Sequence, residues 1–383
     1  MKFLHLADLH LGKVVNEFPM IRDQEYMLDQ IIGIVREKSV DAVLISGDVY
    51  DRSIPPEEAV RTLDRFLSRL SKSGVYVLVI SGNHDSDERL NYGSALFISQ
   101  KVYITGVYEG ELKEAVLEDA FGKIHFWMLP FVKASRVGHY HPDADTSSYD
   151  AAVRAAISCG KIDPKERNVL LAHQFVTGGS KDPETAGSEN TPSEAVGTIE
   201  KIDSSAFDQF DYVALGHIHR PQKVGREEVR YAGSLLKYSL SEMDHAKSAV
   251  LVTLEEKGKV SIELVPLVPR REMRHIKGPF QELMKAEYAT EDYMYVTLTD
   301  EEIVPDAIQK IRTYYPHTMK LDYQNSHTRE AMEFSFASED LAVRPEELLK
   351  DFYRKIAGGE PSEEEWAILL DSAGKAGVIH ETD

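Results

Sequence analysis

Seven side chains that can bind a metal ion stand where short apolar runs of the sequence end. They are Asp8 and His10 in "ADLH", Asp48 in "SGDVYD", Asn83 in "SGNHD", His173 in "LAH", and His217 and His219 in "GHIH". Imidazole with carboxylate and amide oxygen, and without thiolate, suits Mn²⁺, Fe²⁺ or Zn²⁺ better than Ca²⁺ or Mg²⁺. Residues two apart at a strand end point to the same side, so Asp8 with His10, and His217 with His219, can chelate an ion.

Seven ligands are too many for one catalytic ion, which must keep positions open for water and substrate. We therefore predict two ions that share Asp48. Such a pair, about 3.5–4 Å apart, lowers the pKa of a bridging water and holds a phosphate for in-line attack. His84 is left over from the ligand set, and we expect it to stabilise the pentavalent phosphorus or to protonate the leaving oxygen. Asp85 would orient His84, as carboxylates commonly orient imidazoles.

Each fragment also has an ordinary structural interpretation. A single Asp or His at a strand end is commonly a hydrogen-bonded polar group or a helix cap. The fragment "GNHD" contains Asn and Asp, which favour turns. The five fragments together, each at the end of a predicted strand, favour a metal site over five unrelated turns.

The elements that must carry these residues are short strands alternating with amphipathic helices. The predicted strands are "KFLHLA" (2–7), "AVLISG" (42–47), "VYVLVISG" (75–82), "NVLLAH" (168–173) and "YVALGH" (212–217). In "EEAVRTLDRFLSRLSKSG", apolar residues recur at helical spacing and Gly74 supplies a stop. This alternation predicts an α/β core with central, largely parallel strands, and sites in such folds form beyond the carboxyl ends of the strands. "VRYAGSLLKYSL" and "KSAVLVTLEEKGKVSIELVPL" predict a hairpin-rich second sheet.

The pattern changes after the first 273 residues, which we take as the domain that carries the site. Residues 274–338 read helix, strand, helix, strand, which predicts a small α+β unit, and residues 339–383 predict two short helices. The first helix carries Leu349 and Phe352. The second begins with the capping-box pattern of Ser362 and Glu365 and carries Trp366 and Leu370. Two short amphipathic helices cannot form a core alone, so they bind a partner or pack back on the first domain.

Composition limits the class of protein. No apolar run approaches the roughly 20 residues that span a membrane, and the start, "MKFLHLADLH", lacks the features of a signal peptide. The single cysteine, Cys159, excludes an internal disulfide framework and a cysteine-based zinc site. These features predict a cytoplasmic protein. The formal charge of −20 does not attract nucleic acid at long range, so a nucleic-acid substrate would require metal ions, local Lys and Arg, or a partner that supplies basic surface.

The motifs D-x-H, G-D-x-x, G-N-H-D, a later H and G-H-x-H resemble those of the calcineurin-like metallophosphoesterases. Within that superfamily the chain resembles the SbcD-type nuclease subunits, the bacterial relatives of the Mre nucleases. The resemblance lies in "HLADLHLGK", "ISGDVYDRSIPP", "VISGNHDSDERL" and "ALGHIHRPQ", and it extends over essentially the whole chain. It implies a β-sandwich core flanked by helices, a small α+β DNA-capping domain and a C-terminal helical pair.

The resemblance also implies which residue does what. Asp8, His10, Asp48 and His219 would hold one ion; Asp48, Asn83, His173 and His217 would hold the other; and His84 would be the catalytic histidine. Archaeal and eukaryotic relatives have a further histidine three residues after the shared aspartate, where this sequence has Asp51. The role of that histidine therefore does not transfer, and whether Asp51 replaces it stays open.

By the same resemblance, the activity is Mn²⁺-dependent cleavage of DNA: a 3′-to-5′ exonuclease on duplex ends and an endonuclease on single strands or hairpins, in recombination and repair. The implied assembly is a homodimer bound to two SbcC-type ATPase subunits, located in the cytoplasm at the nucleoid. Leu349, Phe352, Trp366 and Leu370 would contact the ATPase, and Lys13, Arg52 and Arg89 would contact DNA. The alternatives are a phosphatase or cyclic-nucleotide phosphodiesterase on the same core, or a non-catalytic scaffold.

Overall fold

Two six-stranded sheets make up the core of the computed structural model, which describes residues 1–179, 181–187, 201–285, 289–325, 349–350, 353–354 and 361–375. The first sheet has the spatial order β16 (Val260–Pro266), β15 (Ser248–Leu254), β1 (Lys2–Leu6), β4 (Ala42–Ser46), β5 (Tyr76–Ile80), β6 (Val102–Thr105). The second has the order β13 (Gln222–Val224), β14 (Arg226–Tyr231), β12 (Tyr212–Gly216), β9 (Arg167–His173), β8 (Gly122–Leu129), β7 (Lys113–Asp119). Shorter pairs are formed by β2 (Val14–Val15) with β3 (Phe18–Pro19) and by β10 (Val176–Thr177) with β11 (Ile202–Asp203).

The central strands of both sheets are parallel, as the sequence predicts. In the first sheet β1, β4, β5 and β6 run in one direction, and in the second sheet β8, β9, β12 and β14 do so. Both faces are almost wholly buried in β1, β4, β5, β9 and β12, which explains why these five strands appear as unbroken apolar runs. Parallel strands bring their carboxyl ends to the same edge of a sheet, so the polar residues that follow them are gathered there.

Alternate side chains of each strand pack on opposite faces, and this divides the apolar core into layers. Phe3 and Leu44 of the first sheet and Phe126 and Leu171 of the second pack between the sheets. The outer face of the first sheet is covered by helices that include α1 (Ile21–Glu37) and α2 (Glu57–Lys72), and that of the second by α5 (Ala134–Tyr140) and α6 (Tyr149–Ser158). Two short helices, α3 (Asp87–Asn91) and α4 (Ser94–Phe97), connect β5 to β6. The predicted β-sandwich flanked by helices is confirmed.

One prediction about the sheets is wrong. The β15–β16 hairpin, expected in the second sheet, pairs with β1 and extends the first sheet. The turn itself was predicted correctly, since Gly258 in "EEKGK" has a φ of +79°. A hairpin pattern is a local signal, whereas the strand beside which a hairpin packs depends on contacts with residues far away in the sequence.

The predicted helix–strand–helix–strand order after residue 273 is confirmed as α7 (Phe280–Leu283), β18 (Tyr293–Leu298), α8 (Ala307–Ile311) and β19 (Thr318–Tyr323). The sequence does not predict the strand β17 (Met273–Gly278), which pairs with β18 in a sheet of order β17-β18-β19. The chain divides into two compact units, one of Met1–Ile276, Ala286–Val296 and Ile308–Lys320, the other of Lys277–Lys285, Thr297–Ala307 and Leu321–Asp383.

Of the two predicted final helices, the structure describes the second, Glu363–Lys375. Its predicted capping box is confirmed: Ser362 Oγ accepts from Glu365 N at 3.3 Å, and Ser362 N donates to Glu365 Oε2 at 2.9 Å. Leu349 is among the few described residues of the first helix, and Phe352 lies outside the described residues. Within the part of the chain that is described, no helix is both long and apolar enough to span a membrane.

Candidate metal centre

Strand ends from both sheets meet at one edge of the sandwich. The loops after β1 and β4 are joined by the hydrogen bond from Asp8 N to Gly47 O, 3.1 Å long. The second sheet is tied to them by His173 Nδ1, which donates to Ser46 O at 2.8 Å, and by His217 N, which donates to Asp8 Oδ1 at 2.9 Å. Four of the strand ends that the sequence singled out therefore lie together, and the fifth joins them because Asn83 contacts His173 and His217.

Four of the seven predicted ligands have left-handed backbone conformations, with φ of 50° at Asp8, 43° at His10, 48° at Asp48 and 102° at His217. Such conformations cost a residue with a side chain about 1–3 kcal/mol each, and they persist where the surrounding structure holds them. No sequence signal marks these positions. The left-handed backbone at these four residues lets their side chains leave the direction of the strands and approach one another.

The glycines beside the ligands allow other parts of the site to approach the backbone closely, in addition to permitting sharp turns. A Cβ on Gly82 would lie 2.1 Å from Asp48 Oδ1, although the backbone of Gly82 is not left-handed. Gly47 is left-handed, with a φ of +85°, and a Cβ there would lie 2.2 Å from His173 Nδ1. The sequence interpretation, which assigned these glycines only the role of permitting sharp turns, is therefore incomplete at Gly82.

Asp8, His10 and His219 form a first cluster, in which the candidate ligand atoms all lie within 4.8 Å of one another. The Nε2 atoms of His10 and His219 face each other at 3.0 Å, and His10 Nε2 lies 3.6 Å from Asp48 Oδ2. Asp8 Oδ2 is buried and has no hydrogen-bond partner among the described residues. A buried carboxylate oxygen without a donor is costly, and a cation at this position would satisfy it.

Asn83, His173 and His217 form a second cluster, which also lies against Asp48. Asn83 Oδ1 lies 3.0 Å from His173 Nε2 and 3.0 Å from His217 Nδ1, and His173 Nε2 lies 3.4 Å from Asp48 Oδ2. Because His173 Nδ1 donates to Ser46 O, the neutral ring presents an unprotonated Nε2 to this cluster. One carboxylate thus lies close to both groups of nitrogen and oxygen donors, which fits the prediction of two ions that share Asp48.

The pKa values of His173, His217 and Asp48 are shifted because these groups are buried next to one another. Burial lowers the pKa of His173, but the Asp48 and Asp8 carboxylates raise it by more, to about 9. Burial lowers the pKa of His217 to about 3, and the neighbouring His173 acts in the same direction. Burial raises the pKa of Asp48, but His173 and His10 outweigh it and hold that pKa well below its ordinary value. A divalent ion bound beside Asp48 would take over the charge compensation that a proton on His173 otherwise provides.

His84 lies next to the ligands without belonging to the two clusters above. Its ring is 4.9 Å from the His10 ring, its Nδ1 donates to Asp51 O at 2.9 Å, and its backbone N–H donates to Asp48 Oδ1 at 2.9 Å. His84 also lies close enough to His10 and Asp48 to form a third group of candidate metal-binding atoms with them. The residue therefore both anchors the shared carboxylate and brings an imidazole to the edge of the site.

Asp85 binds the backbone of two loops, and its predicted role in orienting His84 stays a prediction. Its carboxylate accepts hydrogen bonds from the backbone N–H groups of Val49 (3.0 Å), Tyr50 (2.8 Å) and Gly82 (2.9 Å). The His84 ring donates a hydrogen bond from Nδ1 to the Asp51 carbonyl. Asp85 thus holds the loop after β4 against the loop after β5, and through them Asp48 against Asn83.

Asp51 lies beside His10, together with Lys13 and Arg52, two of the three predicted DNA-contacting residues. Asp51 Oδ1 accepts from Lys13 Nζ at 2.8 Å and lies 3.7 Å from His10 Nδ1. Arg52 is exposed and lies 3.7 Å from Asp51 Oδ2, and Arg89 is exposed on α3. Their contacts with DNA stay a prediction.

Glu242 is a residue of the site that nothing in the sequence singles out. It is fully buried, and its Oε1 lies 3.4 Å from His219 Nδ1. Burial raises the pKa of Glu242, but the hydrogen bond with His219 and the charge of Lys247 hold it below its ordinary value, so it is a carboxylate. Its local sequence, "SLSEMDHAK", is polar and typical of a surface turn, so only the tertiary structure reveals the contact.

Comparison with known proteins adds two family matches, one relative and two solved structures. The model described as calcineurin-like phosphoesterase matches residues 1–221, and the model described as type 5 capsule protein repressor C-terminal domain matches residues 269–356. The chain is similar to the SbcD subunit of the nuclease SbcCD from Staphylococcus epidermidis, with 32% identity over 329 residues that cover 84% of this chain and 85% of the relative. Two solved structures are also similar. A dimetal phosphatase from Danio rerio has 13% identity and a TM-score of 0.38, with 70% of this chain and 99% of that chain covered. An archaeal phosphodiesterase has 13% identity and a TM-score of 0.32, with 69% of this chain and 100% of that chain covered.

Proposed function

The chain belongs to the calcineurin-like phosphoesterase family and, within it, to the SbcD-type nuclease subunits, and we propose that it hydrolyses DNA phosphodiesters at the metal centre. The observation that carries the proposal is the pair of donor clusters that both lie within 4 Å of Asp48. We further propose the activities of a 3′-to-5′ exonuclease on duplex ends and an endonuclease on single strands and hairpins, in the processing of breaks and hairpins during recombination and repair.

We assign the ligands by cluster. Asp8, His10, Asp48 and His219 would hold one ion, and Asp48, Asn83, His173 and His217 the other. The unpartnered Asp8 Oδ2 and the facing nitrogen atoms fit divalent ions, and a donor set rich in imidazole is compatible with Mn²⁺, which we propose as the metal. Two such ions would supply Lewis acidity to the phosphodiester and would lower the pKa of the attacking water.

The side chains of this protein then divide the remaining work. His84 is held through Nδ1 by the Asp51 carbonyl, so Nε2 is the ring atom through which it would stabilise the charge on phosphorus or protonate the leaving oxygen. Asp85 keeps Asp48 and Asn83 at a fixed separation through its three backbone hydrogen bonds. Fixed ligands lower the cost of reorganisation during the reaction.

Replacing His84 with Ala tests the proposal. We expect Mn²⁺-dependent cleavage of linear duplex DNA to fall by roughly 10²–10⁴-fold, the usual contribution of an acid–base or charge-stabilising group, while two Mn²⁺ ions per chain stay bound. His125→Ala is the matched control, because His125 is paired with Glu114 on the second sheet, away from the ligands. Full DNA cleavage by the His84→Ala protein would contradict the role of His84.

The same preparation separates the alternatives. A small-molecule phosphodiesterase would cleave bis(p-nitrophenyl) phosphate but not linear duplex DNA. A non-catalytic scaffold would bind no Mn²⁺ at micromolar concentration. Either result for the unaltered protein would overturn the nuclease proposal.

We also propose the assembly. Residues 274–338 would cap the DNA, and the helices within residues 339–383 would bind an SbcC-type ATPase. A homodimer is supported by the α4 patch, which consists of Tyr92, Leu96, Phe97 and Ile98. The exposed fractions of Tyr92, Leu96 and Ile98 are 85%, 77% and 50%, and adjoining exposed apolar residues mark interaction surfaces. Two of these chains would then assemble with two ATPase subunits.

A further inference from the structure

Glu242 is a buried carboxylate aimed at one of the candidate ligands. It ends the one-turn helix Leu240–Glu242, and none of its surface is exposed. Its Oε1 atom lies 3.4 Å from His219 Nδ1, the ring atom opposite the Nε2 that faces His10. Tyr238 N donates to the same oxygen at 3.3 Å. The carboxylate is thus fixed behind the imidazole, on the side away from the candidate ion.

Lys247 completes the arrangement. Its buried Nζ donates to Glu242 Oε2 at 2.5 Å, to Ser234 Oγ at 2.8 Å and to the backbone carbonyl of His219 at 2.9 Å. An ammonium group has three N–H donors, enough for these three contacts. Lys247 therefore compensates the charge of Glu242 and ties it to the backbone of the histidine that Glu242 faces.

This contact distinguishes the two clusters. In the second cluster the Nδ1–H of His173 is held by a neutral backbone carbonyl, Ser46 O. In the first cluster the Nδ1 of His219 faces the charged carboxylate of Glu242 instead of a backbone carbonyl. A carboxylate behind a metal-bound imidazole fixes the Nδ1–H tautomer and makes Nε2 a stronger ligand. A buried ion pair is on average no more stabilising than apolar residues of the same volume, so stability alone does not account for it.

We propose that Glu242, held by Lys247, is a positioning residue that fixes the ring of His219 and strengthens its bond to the ion of the first cluster. This inference rests on the proposed metal centre and adds to it a residue and a difference between the two ions. The ion held by Asp8, His10 and His219 depends on Glu242, and the ion held by Asn83, His173 and His217 does not.

A Glu242→Gln substitution removes the charge and keeps the shape. We expect a Mn²⁺ titration, followed by the electron paramagnetic resonance signal of free Mn²⁺, to show one of the two ions bound roughly 10–100-fold more weakly, the range observed when such partners are removed. The other ion should keep its affinity. Asp211→Asn is the matched control: Asp211 is also buried and paired with a lysine, Lys257 at 2.8 Å, but it precedes β12 at the end opposite His217. We expect it to bind both ions as the unaltered protein does.

Because Glu242→Gln leaves Lys247 without its charge partner, a double variant guards against misfolding. Replacing Glu242 and Lys247 together with Met removes both charges and keeps apolar volume. It should melt near the temperature of the metal-free unaltered protein and show the same weakening at one ion. Unchanged affinity at both ions in a folded variant would overturn the inference, and so would a double variant that fails to fold, since the pair would then be structural. If the unaltered protein binds no Mn²⁺, the proposed function itself fails, which is a separate result.

Discussion

At the scale of single residues, Asp48 and Asn83 differ in the number of ions that each is expected to bind. Its Oδ2 lies 3.6 Å from His10 Nε2 and 3.4 Å from His173 Nε2, so it serves both. Among the described residues, Asn83 Oδ1 contacts the second cluster, at His173 and His217. We therefore expect Asp48→Ala to abolish binding of both Mn²⁺ ions and Asn83→Ala to abolish or weaken binding of one. Equilibrium dialysis with metal analysis counts the ions, and Asp29→Ala, at an exposed aspartate of α1, is the control. An Asp48→Ala protein that keeps one ion at full affinity would show that the carboxylate is not shared.

The residues of the site differ in how far the sequence alone predicts them. Asp8, Asp48 and His217 are recognisable because a buried strand followed by a polar residue at its carboxyl end is a local pattern. The left-handed backbone of these residues and the contact of Glu242 with His219 are not local, since they depend on which loops face each other. Asp85 illustrates the same limit: its neighbour in the sequence is His84, but its carboxylate binds the backbone of another loop.

At the scale of elements, periodicity identifies strands and helices but not their neighbours. The apolar runs of β1, β4, β5, β9 and β12 are predicted correctly because both of their faces are buried. They do not reveal that β9 and β12 belong to a different sheet from β1. Only the pairing of distant strands decides this, and that pairing brings His173 and His217 to Asn83.

The helix Glu363–Lys375 carries the prediction that concerns the ATPase partner. Its first turn is capped by Ser362 and Glu365, and Lys350 Nζ lies 4.9 Å from the centre of the Trp366 ring. Trp366 and Leu370, one helical turn apart, would form an apolar stripe for the partner. We expect Trp366→Ala with Leu370→Ala to reduce co-purification with an SbcC-type ATPase at least tenfold and to leave Mn²⁺-dependent nuclease activity unchanged. Ser372→Ala, at an exposed position of the same helix, is the control. Removal of residues 339–383 should abolish binding, and a truncated protein that still co-purifies would refute the assignment.

At the scale of the whole molecule, net charge restricts how copies of the chain can meet. A formal charge of −20 makes two copies repel each other, so a dimer requires a contact surface without charges. Residues 91–100, "NYGSALFISQ", contain no charged side chain in a chain that is 28% charged, and they contribute the whole of the α4 patch. Residues 91–100 therefore contribute no like charges that would repel a second copy at this patch.

A two-fold axis through the α4 patch would place the same residues of both copies against each other. A single Leu96→Glu substitution would then bring two carboxylates into one apolar interface, where burying an unpaired charge is costly. We expect the unaltered protein to have the mass of a dimer at micromolar concentration in light scattering, and the Leu96→Glu protein to have the mass of a monomer with unchanged Mn²⁺ binding. Ile303→Glu is the matched control, because Ile303 is 79% exposed and lies outside the patch. A monomeric unaltered protein, or a Leu96→Glu protein that stays dimeric, would remove the α4 patch from the proposed assembly.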